Sequence, residues 1–147
     1  MEKESPGFLP STPQTNDGGA RLRFALEEAG LATWETNFER RESIWSPNHF
    51  RLFGYPVDLA GRATLDMWSS RLHSADRHRV LVELGRAKRE RDLYRSEYRI
   101  VRADTGDTVW LESRGRFLYD AAGVPTHLVG VCLETTARKQ AEERLVR

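Results

Sequence analysis

The side chains able to do chemistry are few and scattered. His73, Asp76 and His78 come nearest to a metal-ligand cluster. Their spacing is not the i, i+4 pair that sets two ligands on one helix face, and no third anchor lies nearby, so no metal site is expected. Asp76 reads better as a carboxylate in the first turn of a helix, facing the positive end of its dipole. Cys132 is the single cysteine, which excludes an intramolecular disulfide and a cysteine-rich zinc module; within the apolar run Leu128–Leu133 it reads as a small buried residue. No G-x-S-x-G, no glycine-rich phosphate cradle and no H-E-x-x-H occurs, so an enzyme is not the expectation. The basic residues Arg86, Lys88, Arg89 and Arg91 read as the solvated end of a helix, with cations at its negative pole. Arg95, Arg99 and Arg102 interleave with Tyr94 and Tyr98 as a nucleic-acid surface would, yet any half-exposed strand alternates this way.

The whole chain narrows the choice. It has 147 residues, enough for one domain with a real core. Hydrophobic residues make up 39% and charged residues 31%, and the mean hydropathy is -0.63, a composition for a soluble globular protein. Lys and Arg number 23 against 22 Asp and Glu, so no basic field draws nucleic acid or anionic lipid. No apolar run approaches the ~18 residues of a membrane span, and the N-terminus lacks the pattern of a signal peptide. A cytoplasmic protein with no direct membrane contact and no nucleic-acid partner is expected.

These residues must be positioned by a short list of elements. Residues 1–20, rich in Pro, Gly, Ser and Thr, read as a disordered tail. Arg21–Gly30 reads as a helix with Leu22, Leu26 and Ala29 on one face. Leu31–Phe38 and Arg41–Ser46 read as a hairpin. Residues 46–72 read as broken short helices, one capped by Ser46 with Pro47 in its first turn. Ser74 is expected to cap the best helix, whose stripe is Val80, Leu81, Leu84 and Ala87. Strands follow over 93–102, 108–119 and 126–134, and a helix over 136–147 opens at Thr136. The order predicts an α+β fold, with a five-stranded antiparallel sheet covered on one face by short helices.

Several motifs in this order resemble the PAS family with its C-terminal PAC segment, over roughly residues 21 to 147. Ile44-Trp45-Ser46-Pro47 followed by Leu52-Phe53-Gly54-Tyr55-Pro56 is similar to the family's stretch after the second strand. Leu72-His73-Ser74-Ala75-Asp76-Arg77 resembles its opening of the long helix, with Ser74 where proline is usual. Glu97-Tyr98-Arg99-Ile100 with Asp104-Thr105-Gly106, Trp110-Leu111-Glu112-Ser113-Arg114-Gly115, Gly123-Val124-Pro125 with Val129-Gly130-Val131, and Lys139-Gln140-Ala141-Glu142-Glu143-Arg144-Leu145 resemble the rest of the series. One departure is Glu134-Thr135-Thr136, where the family often has Asp-Ile-Thr.

The resemblance implies a sensory domain over 21–135 and the start of a signalling, coiled-coil helix over 136–147. It implies a bacterial signal-transduction protein, most often a histidine kinase of a two-component system and next a diguanylate cyclase or phosphodiesterase. A cavity between sheet and helices would be lined by Trp34, Phe53, Met67, Trp68, Leu72, Val80, Leu84, Tyr98 and Trp110; the alternative is that these residues fill the core. Haem in this family takes a histidine on the long helix, for which His78 is the candidate although it stands in the first turn. Covalent flavin needs a cysteine that residues 64–72 lack, so non-covalent flavin or a colourless small molecule stays open. Glu134 with Arg114 or Arg116, and Thr136, would relay the signal to the exit helix. Leu22, Leu26 and Ala29 would join two copies in a homodimer, and the exit helix would lead to an output domain. A ligand-free dimerisation or docking module is the competing reading.

Overall fold

The computed structural model describes residues 11–146, with side chains from Gly18 onward. The chain divides into two units, residues 1–30 and residues 31–147. The first unit holds helix α1 (Ser11–Glu28). The sequence predicts this helix only from Arg21, because Gly18 and Gly19 each disfavour a helix interior by about 1 kcal/mol. The structure carries it back to Ser11. Pro13 is tolerated there because the first turn has no acceptor for its missing N–H. The remainder of the expected tail, 1–10, lies outside the described residues. Leu22 and Ala29 are exposed and Leu26 is half-buried.

The second unit is built on one antiparallel sheet. Its elements are β1 (Ala32–Asn37), β2 (Glu42–Trp45), α2 (Pro47–Phe53), β3 (Arg62–Ala63), α3 (Leu65–Ser69), α4 (Ser74–Glu90), β4 (Tyr94–Val101), β5 (Thr108–Tyr119), β6 (Pro125–Glu134) and α5 (Thr136–Val146). The sheet order is β3-β2-β1-β6-β5-β4. The expected five strands are all present. The sixth, β3, is two residues long and pairs with Ser43 and Ile44. The turn at Gly61, with φ 76°, aims it there, and the Trp45 N–H donates to the Gly61 carbonyl (2.8 Å).

Period-2 alternation sorts the long strands. Tyr94, Ser96, Tyr98 and Ile100 of β4 are buried on the inner face, as are Val109, Leu111, Ser113 and Gly115 of β5. Phe50, Phe53, Leu72, Val80, Ile100 and Leu111 make the core between this face and the helices. Side-chain caps set two of the helix starts. The Thr64 hydroxyl accepts from the Met67 N–H (3.1 Å) at α3. At α4 the N-cap is His73 rather than the expected Ser74, its Nδ1 accepting from the Ala75 N–H (3.1 Å). Ser46 stands at the N-cap of α2 but its hydroxyl accepts from the Thr33 N–H (2.9 Å), tying the helix to β1 instead.

Two distant motifs meet at Gly54. It ends α2 with φ 78°, and a Cβ there would lie 2.9 Å from the Asp104 backbone N. The Arg102 guanidinium closes the junction, donating to the Arg51 and Leu52 carbonyls and to the Asp104 carboxylate.

Candidate ligand-binding site

The inner face of the sheet is not completely filled. Between it and α3 and α4 lies a cavity of about 300 Å³, mostly apolar in lining, at the lower end of the range for small-molecule sites. Trp34, Trp45, Tyr94, Tyr98 and Ser113 form its sheet side, His49 comes from α2, Trp68 from α3, and Leu81, Leu84 and Lys88 from α4.

Its floor follows from register. Tyr94 pairs with Gly115, Gly115 with Gly130, Gly130 with Trp34, and Trp34 with Trp45. This straight row has aromatic side chains at both ends and two glycines in the middle. A Cβ on Gly115 would come within 2.6 Å of the Trp34 ring, and one on Gly130 within 2.5 Å. The indole therefore lies over both glycines. Any side chain at either position would displace it.

The polar groups of the cavity divide into two kinds. Tyr98 is satisfied: its hydroxyl accepts from the Trp68 Nε1–H (3.1 Å) and shares a hydrogen bond with Ser113 (3.0 Å). The His49 Nδ1 and the Tyr94 hydroxyl are buried and have no hydrogen-bond partner among the described residues. His49, 2% exposed, packs against two rings, 4.3 Å from Trp45 and 4.9 Å from Phe53 between centroids. Burial lowers its pKa to about 3, so the imidazole is neutral. Burial likewise raises Tyr94 and Tyr98, which stay protonated. Cys132 lies fully buried, its thiol pushed up to about 12 by desolvation, and is chemically quiet.

Of the expected lining, the structure brings Trp34, Trp68, Leu84 and Tyr98 to the cavity. Phe53, Leu72 and Val80 are core residues, with Met67 packed against them. Trp110 is elsewhere altogether. It pairs with Arg99 on the outer face, one residue out of phase with the inner set. His78 is exposed on α4 and does not line the cavity, so it cannot be an axial ligand there. His49 was not predicted from sequence. Its i+4 spacing to Phe53 was the available signal, since that places both on the buried face of α2.

The outer face is closed by charge. Asp76 at the start of α4 accepts from Arg99 Nε (3.0 Å), Nη2 (2.7 Å) and backbone N–H (2.8 Å). Those hydrogen bonds hold its carboxyl below the usual carboxylate range. The Arg99 guanidinium and the Lys139 ammonium of α5 both lie over the Trp110 ring, at 5.1 and 4.7 Å. Glu97 pairs with Arg138 and with Lys139 of the same helix. The Thr136 hydroxyl accepts from the Trp110 N–H (2.9 Å), and the Thr135 N–H donates to the Trp110 carbonyl (2.8 Å).

Thr136 thus joins the exit helix to the sheet, but the expected partners of Glu134 do not. Glu134 sits opposite Leu111, three pairs along the ladder from Arg114 and on the other face. Arg114 binds Glu112 instead (3.0 Å), which also holds Arg95. Arg116 is exposed opposite Val129. Glu97, Arg99 and Trp110 hold the exit helix in their place. Their motifs were recognised in the sequence, but which strands face α5 is decided by the sheet order.

Comparison with known proteins supplies the context. Residues 42–132 match the family described as PAS fold. The chain is 27% identical over 133 residues to the sensor protein FixL of Bradyrhizobium diazoefficiens, covering 90% of this chain and 26% of that protein. Among solved structures it is similar to a sensory box histidine kinase/response regulator from Burkholderia thailandensis, with TM-score 0.73 and 32% identity over 85% of this chain and 92% of that one. It shares the fold of the N-terminal domain of a diguanylate cyclase with PAS/PAC sensor from Marinobacter aquaeolei, with TM-score 0.64 and 19% identity over 74% of this chain and 98% of that one.

Proposed function

This chain belongs to the PAS fold family, and from that premise we propose that it is the cytoplasmic sensory and dimerising input of a bacterial histidine kinase. The observation that carries the reading is the cavity, walled by α4 and containing buried polar atoms that have no hydrogen-bond partner among the described residues. Such atoms cost about 1–3 kcal/mol each when left unpaired, a cost that a bound molecule removes. The similarity to the Burkholderia histidine kinase/response regulator supports a kinase output, and that to the sensor protein FixL supports a sensory role. The diguanylate cyclase domain, at 19% identity, bears on the fold alone. Among the described residues no helix is long and apolar enough to cross a membrane, in keeping with a cytoplasmic module.

The relay follows the outer face. A ligand that favours one seating of α4 acts on Asp76, which grips Arg99, which shares the Trp110 ring with Lys139 of α5. The ligand shifts the exit helix only to the extent of its differential affinity for the two seatings. Exposed Leu22 and Ala29, with half-buried Leu26 on α1, form the proposed contact between two copies. The output domain lies beyond α5. The segment itself does no catalysis.

The test is extraction of the purified protein into organic solvent with mass spectrometry, alongside its near-ultraviolet and visible absorption. A stoichiometric small molecule, lost in Leu84→Trp, supports the reading. A protein that carries nothing, binds no member of a metabolite library and is unchanged in exit-helix exchange by Leu84→Trp is a ligand-free docking module. A haem or flavin band would identify a coloured ligand.

A further inference from the structure

Three features of the cavity together specify the chemistry of what it holds. The first is the floor. The Trp34 indole lies over Gly115 and Gly130, its six-membered ring reaching both, and also lines the cavity, which gives the sheet side an aromatic surface, with Leu81 and Leu84 of α4 also in the lining. Trp45 and Trp68 flank it. Flat rings gain about 0.5–1.5 kcal/mol on such surfaces beyond area burial.

The second is polarity without charge. His49 and Tyr94 supply the unpartnered atoms, both buried, and both groups are neutral at physiological pH. A neutral imidazole carries one donor and one acceptor, and its Nδ1 serves as either according to tautomer. The third is the rim. Among the described residues lining the cavity, Lys88 is the one with a full charge, and it is exposed. An ion inside would lose its hydration with no buried counter-charge.

We propose that the cavity takes a small, flat, uncharged aromatic molecule bearing a hydroxyl or ring N–H, its ring laid on Trp34 and its polar group hydrogen-bonded to His49 Nδ1. The Tyr94 hydroxyl offers a second contact. This rests on the reading of the cavity as the sensory site and adds the class of ligand to it. His49 is then retained at the expense of the unliganded protein, because its orphaned nitrogen destabilises the empty state and is satisfied in the occupied one.

The experiment is calorimetric titration of the full chain with four probes: naphthol, its methyl ether, naphthoate and decanoate. Naphthol should bind one per chain. Its methyl ether, which cannot donate, should bind about fivefold or more weakly, the worth of one neutral hydrogen bond. Naphthoate should bind more weakly than naphthol. His49→Phe should bring naphthol down to the affinity of the ether, while the unliganded variant melts above the wild type. A histidine that is merely structural would not give both. Should His49→Phe not fold, His49→Leu with the same pair of probes takes its place. Naphthoate binding tighter than naphthol would overturn the proposal in favour of an anion held by Lys88. An unchanged naphthol-to-ether ratio in the His49 variant would overturn the role of His49. Decanoate binding without any naphthalene would overturn the aromatic class and leave the sensory cavity standing. Binding of no probe, with Leu84→Trp also silent, would bring down both.

Discussion

The two faces of this one sheet solve opposite problems. The outer face is crowded with charge, and almost every group has a partner: Asp76 with Arg99, Glu97 with Arg138 and Lys139, Glu112 with Arg95 and Arg114, Trp110 with two cations. The inner face is apolar, yet it leaves a cavity open and two buried polar atoms without partners. A surface whose charges are nearly all paired gains little from a further apolar molecule and is suited to a mechanical joint. A surface left incomplete is where a second molecule can lower the free energy. Under the proposed function, sensing falls to one face and transmission to the other, with α4 touching both through Leu84 inside and Asp76 outside.

The comparison can be broken most severely at the glycine floor. Gly130→Val places a Cβ 2.2 Å from the Arg114 carbonyl and 2.5 Å from the Trp34 ring, and should cost about 3 kcal/mol or more, read by urea denaturation. A loss below about 1 kcal/mol would mean that Trp34 is free to move and does not form a floor.

Asp76→Ala attacks the outer face. Arg99 loses three hydrogen bonds, and stability should fall by about 2–3 kcal/mol, the range for losing bonds to a charged group. The pH dependence has a definite sign. The Asp76 carboxyl is depressed in the folded protein, so its contribution is complete above about pH 4, the unfolded value, and disappears as pH falls through the folded one. Asp76→Asn should remove that acid-sensitive part.

His49 sharpens the contrast in a separate window. Its folded value near 3 lies below the unfolded value of about 6.5. Below that pH the unfolded chain takes up a proton that the native imidazole refuses. Stability should therefore fall as pH drops from about 6.5 toward 3, with a slope approaching about 1.4 kcal/mol per unit. His49→Phe should flatten the curve above pH 4 and leave the Asp76 portion below it.

Glu97→Gln should have the smallest effect on stability, about 0.5–1 kcal/mol and reduced by salt, because its pairs are partly exposed. Amide exchange in α5 should rise while ligand affinity stays put. Equal loss of affinity would show that the two faces are not separable.

Much of the architecture was legible in the chain itself. Alternation along Tyr94–Ile100 and Thr108–Tyr119, and the turns at Gly106 and Gly123, marked the strands because each records a local preference. The start of α1 was missed because Gly18, Gly19 and Pro13 all argue locally against a helix. Five of the nine expected lining residues stand outside the cavity, four of them in or against the core and Trp110 for a different reason. Trp110 has the same composition signal as Trp34, and only phase in the ladder separates an outer from an inner residue. Glu134 was adjacent to the exit helix in sequence but on the wrong face of the sheet to reach Arg114 or Arg116.

By itself the sequence determined the family and the α+β order of elements, since periodicity, turn chemistry and motif spacing are properties of neighbouring residues. Tertiary structure alone decided that Trp34 lies over two glycines from other strands, that His49 is buried without a partner, and that Glu97 holds the exit helix. Each of these depends on which strands are neighbours and which face they share. Strand order and register are set by the packing of the whole sheet, and no short stretch of residues contains them.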